Sequence, residues 1–184
     1  MPKSFFYQTM KKTRFKIYIS QYKDLIYSQA YYFTKNTEDA QDITQDVLIK
    51  LWHHLDDVPR RSAKSWLLKV TKNLCIDRSR RKKELTSSAI KVSSDGEEFQ
   101  LDQEDYGLNP EQETINLDSK EKIMSAIYKL PEKVRNVVIM REIQDLKYDD
   151  IAAALEIPIN SVKVYLHRGR KLLLEELKPY YQNG

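Results

Sequence analysis

The feature that most constrains the fold is the spacing of the apolar residues, which recur at i, i+3 and i+4 along most of the chain. This period lines one face of an α-helix, whereas a strand needs sustained alternation, and no such alternation is present. Helix-breaking residues are few, with four glycines and six prolines among 184 residues. We therefore predict an all-α protein, long enough for one medium domain or two small ones.

The charge is divided unevenly along the chain. Residues 1–83 hold 18 basic and 8 acidic residues, residues 84–114 hold 1 and 9, and residues 115–184 hold 12 and 10. The stretch from Ser87 to Pro110 is polar and aperiodic, which is typical of a segment that cannot bury itself. We predict two small helical domains, 1–83 and 115–184, joined by a flexible acidic linker, 84–114.

Several function classes lack the residues they need. The three histidines have no cysteine or carboxylate at metal spacing, and no glycine-rich phosphate loop or paired nucleophile and base is present. We expect no catalytic site, no metal and no cofactor. Cys75 is the single cysteine, which excludes an internal disulfide and suits the reducing cytoplasm. No stretch approaches the ~20 apolar residues of a membrane span, so we expect no membrane insertion.

In the first domain, Thr37 followed by Glu38 and Asp39 predicts a capped helix start. The apolar stripe of this helix comprises Ile43, Val47, Leu48, Leu51, Trp52 and Leu55. Off the stripe lies a set that we expect to be an exposed acidic patch for a basic partner: Asp39, Asp42, Gln45, Asp46 and Ile49. Taken alone, such a patch is more often an ordinary solvated helix face.

A second helix is predicted from about Ala63 to Arg81, with Ala63, Leu67, Val70 and Leu74 facing inward. The opposite ridge is formed by Lys69, Asn73, Asp77 and Arg80. It is followed by a basic tail that contains Arg78, Arg81, Lys82 and Lys83. We expect Asp77 to pair with Arg80 or Arg81, since its own charge would repel DNA.

In the second domain, an apolar helical pattern stops at Glu156-Ile157-Pro158 and resumes to about Leu177. Two short helices with a tight turn are typical of a helix-turn-helix when their inward-facing residues are apolar, and here these are Ile151, Leu155, Ile157, Val162 and Leu166. The outer face of the last helix comprises Asn160, Ser161, Lys163, Val164, His167, Arg168 and Lys171. Such residues can contact base edges in a major groove. The alternative is a solvated basic face on a helical hairpin.

Three segments together resemble one family. "TEDAQDITQDVLIKLWHHL" and "SWLLKVTKNLCIDRSRRKK" resemble region 2 of bacterial sigma factors, and "LPEKVRNVVIMREIQDLKYDDIAAALEIPINSVKVYLHRGRKLLLEEL" resembles region 4. The order and the linker match the extracytoplasmic function (ECF) group. The helix-turn-helix departs from the family pattern, since Glu156 stands where the turn usually has a glycine and Lys147 where a small hydroxyl residue usually caps the first helix.

The resemblance implies specific partners and roles. It implies that the acidic patch binds the clamp of core RNA polymerase, with the flap as a second contact. Minus-ten promoter DNA would be recognised and melted by Lys69, Asn73, Arg78, Arg80 and Arg81, and the last helix would read the minus-thirty-five element. An anti-sigma factor is also implied. The runner-up is a stand-alone regulator that binds an operator as a dimer through the helix-turn-helix.

Overall fold

The computed structural model describes the backbone of residues 2–90 and 110–181, and the side chains of residues 7–82, 84 and 120–180. The part of the predicted linker at 91–109 lies outside these ranges. Every regular element in the described residues is helical, as the apolar period predicts. The helices are α1 (Pro2–Thr34), α2 (Thr37–His54), α3 (Ala63–Ile90), α4 (Pro110–Lys129), α5 (Glu132–Val138), α6 (Tyr148–Leu155) and α7 (Ile159–Tyr181).

Three helix boundaries differ from the predictions. The side chain of Asn36, not that of Thr37, caps α2 by accepting a 2.8 Å hydrogen bond from the Asp39 backbone N–H. Helix α3 continues past Arg81 to Ile90, and α4 begins at Pro110, so residues 84–90 and 110–114, which we assigned to the linker, are helical. Composition identified a polar segment there, but a polar segment can continue a helix that packing has already started.

The first unit packs α1, α2 and α3 around one core. Its buried residues include four of the six members of the predicted α2 stripe, Ile43, Val47, Leu51 and Leu55, while Leu48 and Trp52 are half-buried. From α3, Ala63 and Leu67 are fully buried, and Val70 and Leu74 pack against the same cluster. The period of the sequence thus identified the inward face of both helices.

The second unit places α4, α5, α6 and α7 around a separate core. A single π-helical turn, Ile139–Ile143, extends α5, and its Ile139 and Met140 are fully buried. Val162 and Leu166 of α7 are buried in the same cluster. Lys147 precedes α6 without a side-chain cap, and Asp149 and Asp150 occupy the first turn, where the helix dipole favours negative charge.

Gly169 is buried in α7 where this helix packs against Val134 and Val138 of α5. A β-carbon at this position would overlap Cγ2 of Val138 and lie 3.0 Å from Cγ1 of Val134. Only a residue without a side chain allows this approach.

We expect Gly169→Ala to destabilise the second unit by about 1–3 kcal/mol, because the overpacking outweighs the gain in helix propensity. Urea unfolding followed by circular dichroism measures the change, with Glu175→Ala on the exposed side of the same helix as the control. An unchanged unfolding midpoint would mean that α5 and α7 can separate freely.

Candidate nucleic-acid and polymerase interfaces

The outer face of α7 is exposed along its first four turns. Glu156 has a φ of 58° and ends α6 in the left-handed conformation, so the chain turns sharply and α7 begins at Ile159. Burial of Val162 and Leu166 then fixes which side of α7 faces outward. Six of the seven predicted reading residues are exposed, and Ser161 is half-buried: the exposed six are Asn160, Lys163, Val164, His167, Arg168 and Lys171.

This face combines cations with an apolar group. Val164 is 62% exposed, which is unusual for valine and suits contact with a thymine methyl. Beside it, Lys163, His167 and Arg168 present donors for phosphates or base edges. The two helices around the Glu156 turn therefore offer a surface of the size and chemistry that a major groove accepts.

The ridge on α3 is assembled as the sequence predicts, with Asn73, Arg80 and Arg81 exposed and Lys69 half-exposed. The Arg80 Nη2 atom lies 3.6 Å from Asp77 Oδ1, which confirms the predicted pairing of Asp77. Arg80 also lies 3.9 Å from Glu84 across one helical turn. A shallow open groove of about 270 Å³ runs beside the ridge between α3 and α5, lined by Ile76, Ser79, Arg80 and Glu132.

Asp39 does not belong to the exposed patch, because it is only 5% accessible. Its carboxylate accepts hydrogen bonds from Arg78 Nε at 2.8 Å and from Lys82 Nζ. The Arg78 Nη2 atom in turn donates to Asp42 Oδ2 at 2.7 Å. These contacts join α2 to α3, so the expectation that Asp39 is exposed is wrong, and Arg78 is engaged within the protein.

The electrostatics of Asp39 follow from this network. Burial by itself would raise the pKa of the carboxyl, but hydrogen bonds from Lys82 and Arg78 outweigh it and hold the pKa below its ordinary value. The pairing therefore stabilises the fold fully above the unfolded pKa. That contribution is lost as the pH falls through the lowered pKa of the folded state.

The rest of the α2 patch is exposed as predicted. Gln45 and Asp46 lie on the surface, and Ile49 is 57% exposed although it is a large apolar residue. Asp42 is exposed as well, but it shares Arg78 with Asp39. An isoleucine between polar and acidic side chains on a rigid helix is a typical anchor for a protein partner.

One contact surface of α3 was not predicted from the sequence. Lys64, Leu68 and Lys72 follow one another at intervals of four residues, and all three contact the second unit. Leu68 is fully buried in the core of that unit, together with α6 and α7 residues. The available signal was a leucine, outside the predicted inward face, with a lysine four residues away on each side.

The described residues also bear on membrane insertion, metal binding and thiol chemistry. Within residues 2–90 and 110–181, no helix combines the length and apolar content needed to cross a bilayer. The same residues contain no group of three or more histidine, cysteine, aspartate or glutamate side chains that could hold a metal ion. Cys75 is buried, and burial raises the pKa of its thiol to about 12, which makes it a poor nucleophile.

Comparison with known proteins matches both units. The family model of Sigma-70 region 2 matches residues 18–84, and that of Sigma-70, region 4 matches residues 120–173. The ECF RNA polymerase sigma factor SigW of Bacillus subtilis (strain 168) is 33% identical over 160 residues, which cover 85% of each protein. The chain belongs to the ECF sigma factors. The stand-alone regulator is therefore not favoured, and the protein is a promoter-specific initiation factor of RNA polymerase.

A second relative agrees with this assignment, and one solved structure has the same fold. The ECF RNA polymerase sigma factor SigE of Mycolicibacterium smegmatis is 30% identical over 86% of this sigma factor and 60% of its own length. The sigma factor RpoE from Bartonella quintana, solved in complex with the anti-sigma factor NepR, superposes with a TM-score of 0.67. At 23% identity over 89% of this chain and 96% of that one, RpoE shows a shared fold.

Proposed function

We propose that the two units divide promoter recognition between them, with domains at 1–83 and 115–184 and the acidic stretch 84–114 as their connection. The second unit reads the minus-thirty-five element through α7, and the first unit recognises and opens the minus-ten element through α3. The observation that carries this proposal is the exposed face of α7 from Asn160 to Lys171. This face points outward because the opposite face of α7 is buried and because the chain turns sharply at Glu156.

On α3, Asn73 is the proposed base-reading residue and its neighbours hold phosphates. An exposed amide in a row of cations offers both a donor and an acceptor to an unpaired base edge. Lys69, Arg80 and Arg81 supply positive charge along the strand. Arg78 supports this surface from within, since its Nε and Nη2 atoms hold α2 against α3.

The proposed polymerase contact is the α2 patch of Gln45, Asp46 and Ile49, with Asp42 at its edge. Its acidic and apolar mixture suits a basic helical surface such as the clamp, and the second unit supplies a contact to the flap. The sigma factor performs no bond chemistry of its own in this proposal and acts in the cytoplasm with the polymerase. An anti-sigma factor is a further proposed partner, supported by the whole-chain likeness to RpoE, which was solved with one.

Arg168 provides the test of the reading face. If its guanidinium makes a bidentate contact to guanine, Arg168→Ala costs about 1–3 kcal/mol of binding and relaxes the preference at one promoter position. A phosphate contact would instead weaken all sequences alike. Selection of upstream elements from a random pool, with the holoenzymes of wild type and variant, separates these results.

Glu175→Ala is the matched control, because Glu175 is exposed on α7 outside the reading face. The control should select the same elements as the wild type. Identical preference and affinity for Arg168→Ala would show that α7 does not read the upstream element.

A further inference from the structure

Three lysines of α3 form ion pairs with carboxylates of the second unit. Lys64 Nζ lies 2.9 Å from Asp150 Oδ2 at the start of α6. Lys69 Nζ lies 2.8 Å from one carboxylate oxygen of Glu156, and Lys72 Nζ lies 3.3 Å from the other. A single side chain in the helix-turn-helix turn thus pairs with two lysines of the helix to which we assign promoter melting, and its one negative charge compensates half of their combined positive charge.

An apolar contact lies beside these ion pairs. Leu68 is fully buried in the core of the second unit, and Leu25 and Tyr32 of α1 pack against the same cluster. Burying apolar side chains contributes more free energy than exposed ion pairs do. Leu68 therefore supplies most of the attraction, while Glu156 fixes the register of the contact by engaging Lys69 and Lys72.

The interface also contains a polar defect that favours reversible opening. Gln144 follows the π-helical turn and donates from Nε2 to the Ser28 hydroxyl at 3.2 Å. Its amide oxygen is buried with no hydrogen-bond partner among the described residues. Separating the units would return this oxygen to water, which recovers part of the free energy that the lost contacts supplied.

This arrangement is incompatible with a sigma factor that spans its promoter. Elements named minus ten and minus thirty-five lie about 25 base pairs apart, or about 85 Å at 3.4 Å per base pair. Helix α7 has 23 residues, which gives it a length of about 35 Å. With Lys69 bound at the turn that leads into α7, the two DNA surfaces cannot reach their elements together.

We propose that Glu156 latches the free sigma factor in a closed form that masks the lysines of α3, and that binding to core polymerase separates the units. Residue choice supports the proposal. A non-glycine residue with positive φ is strained, yet a glutamate occupies this position at a φ of 58°. Glycine would relieve the strain but would leave Lys69 and Lys72 without their partner. The masking rests on the proposed function of α3, whereas the closed conformation does not.

Small-angle X-ray scattering of the full chain, without polymerase, tests the closed form. Glu156→Lys places a fourth cation among Lys64, Lys69 and Lys72, so we expect a clear increase in the radius of gyration. Leu68→Gln should increase it independently by removing the apolar contact. Lys69→Glu with Lys72→Glu in the Glu156→Lys background restores opposite charges and should return the radius towards the wild-type value.

Glu175→Lys is the control, since it makes the same charge change on an exposed part of α7, and its radius should equal that of the wild type. Equal radii for wild type, Glu156→Lys and Leu68→Gln would overturn the latch. Circular dichroism of each variant verifies that helical content is retained, so that opening is not confused with unfolding.

Binding of the free proteins to single-stranded DNA at several salt concentrations tests the masking. Release of Lys69 and Lys72 should steepen the salt dependence of Glu156→Lys relative to Glu175→Lys by about 0.7 per lysine, or roughly 1.4 in total. If Glu156→Lys opens but its salt dependence equals that of the control, the latch stands and the assignment of α3 to DNA is wrong. If neither the radius nor the salt dependence changes, the latch itself is wrong.

Discussion

Replacing Asp46 and Ile49 together with arginine should abolish the binding of this sigma factor to core RNA polymerase. Ile49 is 57% exposed on α2, and Asp46 lies one turn away on the same face. The exchange removes an apolar anchor and turns an attractive charge into a repulsive one against a basic partner. Loss of central interface anchors typically weakens binding at least about a hundredfold.

Asp42 is left unchanged in this variant because its carboxylate holds Arg78. An arginine at position 42 would face that guanidinium and disturb the junction of α2 and α3, so lost binding could then reflect a damaged fold. Asp46 and Ile49 are both exposed, and exposed exchanges change stability little. The melting temperature of the double variant should therefore match that of the wild type.

Helix α1 offers a matched control. Ile17 is 55% exposed and Asp24 is exposed two turns further along the same face, so the same two substitutions can be made outside the patch. Co-purification with core polymerase, followed by titration with a fluorescently labelled sigma factor, should show normal binding for this control. Normal binding by the Asp46→Arg, Ile49→Arg variant would remove the patch from the polymerase interface.

Replacing Asn73 with alanine should block promoter opening while leaving earlier steps intact. Asn73 is exposed on α3 and lies away from the inward-facing Leu67, so the fold does not depend on it. A base captured from the open strand contributes about 1–3 kcal/mol that the closed duplex does not supply. We expect open complex to fall by roughly 5- to 150-fold, which is that range converted at 1.4 kcal/mol per tenfold.

Permanganate footprinting on a duplex promoter measures this opening. A second template with a mismatch bubble is already unpaired at the minus-ten element, so it does not need the melting step. The variant should open the duplex poorly and should regain transcription activity on the bubble template. Ser79→Ala serves as the control, because Ser79 is exposed on α3 about a third of a turn from the ridge. Equal opening of the duplex by Asn73→Ala and wild type would exclude a role for Asn73 in melting.

The sequence predicted the interior of each unit better than it predicted the ends of the helices. The α2 stripe and the inward residues of α3 are packed as their period indicates, because one buried face per helix is a local property of residue order. The predicted capping residue of α2 was one position too late, since the side chains of Asn36 and Thr37 can both cap a helix. Only the backbone conformation selects between two such neighbours.

The charged residues were harder to place than the apolar ones. Asp39 looked like a surface residue, yet it is buried against Arg78 from a helix that begins far along the chain. A carboxylate is buried only where partners compensate the loss of hydration, and a partner 39 residues away leaves no periodic signal. The same reason explains why Lys69 was predicted to face DNA and was not expected to meet Glu156.

The sequence by itself determined the helical class, the two apolar cores, the outward face of α7 and the family. All of these depend on the order of residues within single helices or short motifs, where spacing decides what lies together. The tertiary structure alone decided how the two units meet. Leu68 belongs to the second core, and Glu156 binds Lys69 and Lys72, only because α3 and α6 pack against each other. That contact joins residues that are distant along the chain, so no local period encodes it.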